Sequence, residues 1–220
     1  MPHIEICILP ELRQKCSQLQ LGYLSAEVQI APSSSDLLHE IEEACSRISS
    51  SLPIDDISSL PRIRSTRDAY KATGKKPGRY RPSAEALLRR VVSGKGLYHI
   101  NNVVDVINLC SITSHYSIGG YDADQIEGSV TMGIGRENEP YEAIARGPLN
   151  IAGLPVLRDE RGAFGSPTSD SARTMARNGT NRILLLFFNF GGHEALHTVL
   201  EEAAALIKKH CQGQNIDISP

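Results

Sequence analysis

The sequence predicts an α+β protein, because helical and strand-like patterns both recur along the chain. Residues 36–49 and 102–112 place apolar side chains at helical spacing. Between residues 129 and 159, short apolar segments are separated by glycines that mark bends in a twisted sheet. Residues 181–190, NRILLLFFNF, form one continuous apolar run of strand length, which predicts a fully buried central strand.

The first 60 residues are predicted to form an elaboration that packs on a main domain of residues 61–212, with residues 213–220 as a tail. We expect a short helix around residues 10–19, a strand over 21–31 and a helix over 36–49. Residues 51–61, with two prolines, read as a linker. This N-terminal part contains no pattern that indicates chemistry, so a packing role is expected.

Three further helices are predicted in the main domain. One runs over residues 66–72 and stops at Gly74, before a basic turn at residues 75–78. The next runs from Ala84 to Val92 with Ser83 as its N-cap. The last closes the domain over residues 193–211.

A helix preceded by two asparagines and followed by a polar turn is one candidate for a pocket wall. Asn101 and Asn102 are suited to cap the helix that begins there. The following residues, 114–124, combine polar side chains with a glycine pair. This arrangement is compatible with a pocket wall and also with an ordinary helix–loop connection.

A second candidate is the loop at residues 162–174, GAFGSPTSDSART. Gly162 and Gly165 permit close approach of a ligand to the backbone. The loop also contains many hydrogen-bonding side chains, namely those of Ser166, Thr168, Ser169, Asp170 and Ser171. The alternative is a surface loop rich in serine and threonine.

Composition limits the class of protein. The 220 residues suffice for a sizeable core, and no apolar run approaches the length that crosses a bilayer. The first 15 residues lack the pattern of a secretory signal. Five scattered cysteines are better explained as buried thiols in a reducing compartment than as disulfides or zinc ligands. We therefore expect a cytoplasmic protein.

Positive charge is concentrated in one segment. The whole chain has a net charge of −2, but residues 62–90 contain ten basic and two acidic side chains. A basic stripe on an acidic body is typical of a surface that binds a phosphate backbone. A solvated basic helix face would give the same pattern.

Residues 193–197, HEALH, match the H-E-x-x-H pattern of zinc metalloproteases. Two features of the residues oppose a zinc site: His193 directly follows two glycines, and a third ligand from a second helix is missing. The alternative is an amphipathic helix. The zinc hydrolase remains a third hypothesis.

Three separated motifs occur in an order that resembles a known family. They are RYRPSAEALLRR at residues 79–90, the segment 98–128 with NNVVDVINL and GGYDADQIEG, and DSART at 170–174. Together they resemble the B3/B4 editing and tRNA-binding domain of the phenylalanyl-tRNA synthetase β subunit, and free-standing proteins built from that domain. The resemblance covers roughly residues 60–210. It implies a mixed, sandwich-like β core surrounded by helices.

The resemblance also implies a function. In the synthetase the domain hydrolyses tyrosine from mischarged tRNA without a metal, so we expect no cofactor, tRNA and an aminoacyl ester as partners, and no membrane. The expected catalytic residues are His115, Asn101 and Asn102. The expected substrate-binding residues are Ser117, Gly119, Gly120, Asp122, Gly165, Ser166, Ser169, Asp170, Ser171 and Arg173. The expected tRNA-binding residues are Lys71, Lys75, Lys76, Arg79, Arg81, Arg89 and Arg90.

Two departures from the family pattern limit this expectation. Gly119 aligns where the β subunit usually carries a histidine, and His115 is the nearest histidine here. Residues 184–187 contain no acid where the β subunit has the glutamate that reads the tyrosine hydroxyl. The sequence thus favours a deacylase that is not specific for tyrosine, and the alternative is a non-catalytic RNA- or small-molecule-binding module.

Overall fold

A computed structural model of the protein describes residues 6–220. These residues form six α-helices and ten strands, and eight of the strands belong to two four-stranded sheets. Residues 1–5 of the predicted N-terminal elaboration lie outside the described residues. The helices are α1 (Pro10–Lys15), α2 (Ser35–Ser51), α3 (Pro61–Thr73), α4 (Ser83–Val92), α5 (Asn102–Ser114) and α6 (Leu196–His210). The strands are β1 (Ile6–Ile8), β2 (Gln20–Glu27), β3 (Ser117–Asp122), β4 (Val130–Ile134), β5 (Glu142–Ala143), β6 (Gly147–Pro148), β7 (Pro155–Asp159), β8 (Gly162–Gly165), β9 (Arg182–Asn189) and β10 (Gln214–Ser219).

The two large sheets differ in strand direction. In the first, with order β1-β4-β7-β8, β1 runs parallel to β4 and the other pairs are antiparallel. In the second, with order β10-β2-β9-β3, every pair is antiparallel. Strands β5 and β6 form a separate short hairpin. The β core is therefore mixed, as predicted.

Strand β9 is buried on both faces and contributes alternate side chains to two hydrophobic cores. Ile183, Leu185 and Phe187 pack with residues of α2, α4, α5 and α6. The alternate side chains, Leu184, Leu186 and Phe188, pack with residues of the first sheet. Because successive side chains of a strand point to opposite faces, this division makes β9 the centre of a sheet–sheet–helix arrangement. The sandwich-like α+β fold is confirmed, and so is the buried central strand.

Several helix boundaries differ from the predictions. Helix α3 begins at Pro61, because proline is well suited to the first helical turn. Ser83 is the first residue of α4 instead of its N-cap; Pro82 precedes it and provides no side-chain cap. Helix α6 begins at Leu196, since the Asn189 side chain bonds both the N–H and the carbonyl of His193 and holds that residue in a turn.

Two segments predicted as turn and tail are strands. Residues 117–122 form β3, an edge strand paired with β9, and residues 214–219 form β10, paired with β2. Strand β2 lies between β10 and β9, so the N-terminal part contributes an inner strand to the second sheet. These pairings depend on partners far away in sequence, which local patterns do not reveal. The domain boundary at residues 60/61 stays a prediction.

Among residues 6–220, no helix combines the length and apolar character needed to cross a membrane.

Candidate functional site

A cavity of about 410 Å³ lies between α4, α5, β3 and the loops at residues 144–146 and 168–176. The helices and the loops each contribute both apolar and polar side chains to its walls. The lining residues are Ser83, Ala86, Leu87, Arg90, Tyr98, Val104, Ile107, Asn108, Ser111, Ile118, Gly120, Ile144, Arg146, Thr168, Asp170, Met175 and Ala176. The volume lies within the range of small-molecule sites, roughly 300–1,000 Å³.

Helix α5 presents one face to this cavity. Val104, Ile107, Asn108 and Ser111 recur at intervals of three and four residues and therefore lie on the same side of the helix. The start of the helix is fixed by Asn101, whose side-chain oxygen accepts a hydrogen bond from the backbone N–H of Val104 at 2.9 Å. The cap fixes where the helix begins and hence where this face lies.

Asp170 is the acidic residue of the cavity wall, and neutral groups hold it in place. The hydroxyl of Tyr121 donates to Asp170 Oδ1 at 2.7 Å, and the backbone N–H of Gly120 donates to Oδ2 at 3.2 Å. Because β3 is an edge strand, the Gly120 N–H is free to bond a side chain instead of another strand. Asp170 remains partly exposed, and it is one of the residues that line the cavity.

The environment of Asp170 changes its acidity. Burial raises the pKa of Asp170 to about 7, although the hydrogen bonds from Tyr121 and the Gly120 backbone lower it in part. Within residues 6–220, Asp170 forms no ion pair that would oppose the effect of burial. A carboxyl group with this pKa can gain or lose a proton near neutral pH.

Two glycines make room for the tyrosine that holds Asp170. A Cβ atom on Gly119 would lie 1.9 Å from the Tyr121 hydroxyl oxygen, and a Cβ on Gly165 would lie 2.2 Å from it. Both distances are far below van der Waals contact. The histidine that the family resemblance expects at position 119 is therefore incompatible with this Tyr121–Asp170 pair, which takes up the space in its place.

Basic and aromatic side chains lie at the rim. The Arg90 guanidinium carbon is 3.7 Å from the centroid of the Tyr98 ring, and Arg90 Nη1 donates to the Tyr98 hydroxyl at 3.0 Å. Arg146 is exposed between β5 and β6 and also lines the cavity. The site thus combines one partly exposed carboxyl group of raised pKa with two arginines, of which Arg146 is exposed.

The two segments singled out in the sequence meet at this cavity. Gly120 comes from the first and Asp170 from the second, and Arg90 comes from the basic segment. These are the sequence-predicted site residues that line the cavity; the others lie elsewhere or contribute structure.

The three residues expected to be catalytic do not line the cavity. Asn102 bonds the backbone of Ala31, Gln29 and His210, so its amide is fully used in joining α5 to neighbouring segments. His115 ends α5 with a left-handed backbone, φ 63°. Burial, together with Arg62, lowers the pKa of His115. Asn101 is the helix cap described above.

The remaining polar residues expected to bind substrate do not line the cavity and form bonds within the fold instead. Ser166 Oγ accepts hydrogen bonds from the backbone N–H groups of Thr168 and Ser169, which fixes the loop that carries Asp170. Arg173 forms an ion pair with Asp159 at 2.8 Å. The other three bond within the fold: Ser117 to Ala84 N, Ser171 to Arg173 N, and Asp122 to Asp124 N and Thr180.

Some cations of the basic segment, residues 62–90, bind other protein groups, whereas others are exposed to solvent. Lys75 is buried, and its ammonium donates to the carbonyls of Asn150 and Ala152 at 2.8 and 2.6 Å. Arg89 pairs with the buried carboxylate of Glu85, and Lys71 is an exposed side chain that pairs with the exposed Asp68. By contrast, Lys76, Arg79 and Arg81 are exposed. Local sequence does not distinguish the two groups, because the carbonyls that hold Lys75 lie about 75 residues away.

The HEALH segment does not gather a set of metal ligands. His193 precedes α6, and its ring lies 3.5 Å from Ser65 Oγ, whereas His197 lies in the helix beside Glu201. Across residues 6–220, no group of three His, Cys, Asp or Glu side chains is placed to hold a metal ion.

Sequence reasoning missed Tyr98, Arg146, Asn108 and Ser111 as lining residues. Asn108 and Ser111 carried a usable signal, since they are polar positions on the same side of an otherwise apolar helix. Tyr98 and Arg146 lie in loops, and only the tertiary structure brings them to the cavity.

The fold and cavity define an α+β domain with two stacked sheets and a ligand-sized site against its helical layer. Residues 65–212 match the model of the B3/4 domain family, more than half of the chain, and the protein belongs to that family.

Comparison with solved structures gives a similar fold. An N-terminal fragment of the phenylalanyl-tRNA synthetase β subunit from Pyrococcus horikoshii matches with a TM-score of 0.50 and 11% sequence identity. The match covers 99% of this chain and 55% of the fragment, so the chain spans about half the length of that structure. No curated protein matches the chain.

Proposed function

We propose that this protein binds tRNA and hydrolyses the ester bond of mischarged aminoacyl-tRNA in trans, without specificity for tyrosine. The observation that carries the proposal is the cavity wall at Asp170, where one carboxyl group with a pKa near 7 borders a space sized for an aminoacyl group. Membership of the B3/4 family and the shared fold support the choice of tRNA as partner. With tRNA as the substrate, we propose a cytoplasmic location.

Asp170 would act as the general base. Its carboxylate takes a proton from a water molecule as the water oxygen bonds to the ester carbonyl carbon. The bond from that carbon to the ribose oxygen then breaks, and the ribose oxygen takes up the proton that Asp170 received from the water, which returns Asp170 to its carboxylate form. The products are the free amino acid and tRNA with its terminal hydroxyl restored. A base whose pKa lies near the working pH is well matched to this transfer, which contributes about 10²- to 10⁴-fold to rate.

The cavity walls favour an amino acid with an apolar side chain. Leu87, Ile107 and Ile118 provide apolar surface, and Asp170 is the only acid among the described lining residues. If Asp170 serves the reaction, no second acid is available to pair with a phenol hydroxyl. A site without a second carboxylate lacks the kind of partner with which the β subunit is expected to read the tyrosine hydroxyl.

The exposed cations supply the surface for the RNA backbone. Lys76, Arg79 and Arg81 are exposed beside α4, and Arg146 lies at the cavity itself. Binding through such contacts weakens steeply as salt increases, because each neutralised phosphate releases counterions. We leave Lys75 and Arg89 out of this surface because their charged groups already bind protein partners.

The test is single-turnover hydrolysis of a panel of mischarged tRNAs. We expect wild-type protein to cleave at least one of them, and Asp170→Asn to lower the rate by about 100-fold or more. Asp124→Asn is the matched control, since Asp124 is an exposed carboxylate outside the cavity and should leave the rate unchanged. The absence of cleavage above background for every tRNA would refute the deacylase.

A second candidate, tRNA binding without catalysis, is favoured by one observation. His115, the histidine nearest to position 119, where the β subunit usually carries a histidine, does not line the cavity. This alternative predicts salt-sensitive binding of tRNA with no turnover and no effect of Asp170→Asn on affinity. Measuring affinity and cleavage on the same tRNA separates the two functions.

A further inference from the structure

The rim of the cavity exposes apolar surface in a short segment, residues 95–100. Tyr98 is 58% exposed and Ile100 is 64% exposed, and the only other large apolar side chain exposed among residues 6–220 is Ile54 at 41%. A single exposed apolar side chain is unremarkable. Tyr98 lines the cavity and Ile100 follows it two residues later, which makes this segment a candidate binding surface.

Arg90 holds the Tyr98 ring in one orientation. Its guanidinium stacks on the ring at 3.7 Å, and Nη1 donates to the ring hydroxyl at 3.0 Å. In addition, Nη2 donates to the carbonyl of Lys95 at 3.1 Å, which ties the segment to α4. One side chain thus covers one face of the ring and fixes it, while more than half of Tyr98 stays open to solvent.

The charge around Tyr98 is mainly positive. Arg90 lies beneath it, Lys95 is exposed in the same segment, and Arg146 lies on the same cavity. Within residues 6–220, neither Lys95 nor Arg146 has an ion-pair partner. The nearby acid Asp105 is already engaged by Ser33, the Ile100 backbone N–H and His99. A fixed aromatic ring among cations is the arrangement with which proteins bind unpaired nucleobases.

We propose that Tyr98, supported by Arg90, is the stacking platform for an unpaired nucleobase at the 3′ end of the RNA. This inference rests on the proposed function, since it places the base at the rim so that the acyl group it carries can enter the cavity. A nucleobase suits the site because it has a flat face for the ring and a phosphate for the cations. An acidic or aromatic peptide is the alternative occupant.

The experiment uses an uncharged single-stranded RNA with 2-aminopurine as its 3′-terminal base. Stacking on Tyr98 should quench the fluorescence of the base, and titration gives a Kd. We expect Tyr98→Ala to weaken binding about 5- to 150-fold and to abolish quenching. Tyr98→Phe keeps the ring and should retain both, and Ile54→Ala, an exposed apolar residue outside the cavity, should match wild type.

Because this RNA carries no ester, the result does not depend on hydrolysis. Quenching that requires the ring at position 98 supports the stacking platform even if no mischarged tRNA is cleaved, in which case deacylation alone fails. Equal affinity and quenching for wild type and Tyr98→Ala would overturn the platform even if the protein proves to be a deacylase. Tyr98-dependent binding of an acidic peptide in preference to the RNA would overturn it as well.

Discussion

Two aspartates eleven residues apart have opposite environments. Asp159, at the end of β7, has a fully buried side chain that pairs with Arg173 at 2.8 Å, and its pKa is lowered because the hydrogen bonds from Arg173 and the Glu127 backbone outweigh burial. Asp170 has a raised pKa because burial acts on it without a cation. Burial alone therefore does not identify a reactive carboxyl group.

The two aspartates therefore have different roles: Asp159 stabilises the fold, and Asp170 is available at the cavity. The Asp159–Arg173 pair ties β7 to the loop that follows β8, and Arg173 also donates to the Gln125 carbonyl. Asp170 links that loop to the edge of β3 and faces the cavity. The first aspartate fixes the loop, and the second is the group that the fixed loop presents.

Removing the cation from Asp159 should have the largest effect on stability. Arg173→Ala leaves a buried carboxylate without its partner, which costs about 3 kcal/mol in free energy of unfolding. Urea denaturation measures the change. Arg161→Ala, which removes an exposed pair with Glu127, is the control and should cost less than about 1 kcal/mol. Equal effects of the two substitutions would contradict a structural role for the Asp159 pair.

The second largest effect on stability is expected from a side chain added beside Tyr121, the residue that holds Asp170. Gly165→Ala places a Cβ 2.2 Å from the Tyr121 hydroxyl oxygen, and overpacking of this kind costs about 1–3 kcal/mol. Thermal unfolding measures the loss, and the Asp170-dependent activity should fall with it. Gly78→Ala is matched, because nothing lies within 4 Å of its added Cβ. A Gly165→Ala protein as stable as the Gly78→Ala protein would show that the Tyr121 hydroxyl does not occupy this position.

The raised pKa of Asp170 predicts a pH-dependent stability difference. The folded state binds the Asp170 proton more tightly than the unfolded state, so wild type loses stability as pH rises from about 4 to about 7. Asp170→Asn cannot ionise and does not lose this contribution. The melting temperature of the variant minus that of wild type should therefore be larger at pH 8 than at pH 5. A constant difference across this range would contradict the raised pKa.

The last prediction separates the roles of two neighbouring lysines. Lys75→Ala leaves two carbonyls without their donor and should destabilise the fold by about 1–3 kcal/mol. Lys76→Ala should leave stability unchanged and reduce the salt dependence of tRNA binding by about one charge. Chemical denaturation and binding titrations at several salt concentrations measure the two. The reverse assignment of effects would show that Lys75, not Lys76, meets the RNA.

Helices and strands could be predicted from the sequence better than the contacts between distant residues. The β9 run and the α5 helix with its Asn101 cap follow from local pattern and are present as expected. The two segments expected to line a pocket, residues 99–122 and 162–174, do meet, and Asp170 lies where they join. By contrast, Asn102, Lys75 and Arg173 are used in bonds to distant backbone or side chains, and no local pattern identifies those partners.

The most direct test of the central claim is the pH dependence of single-turnover ester hydrolysis by wild type and Asp170→Asn on the same mischarged tRNA. With Asp170 as the base, the wild-type rate rises with pH through a midpoint near 7, and the variant loses both the midpoint and most of the rate. A variant that keeps the wild-type rate and profile would contradict the claim.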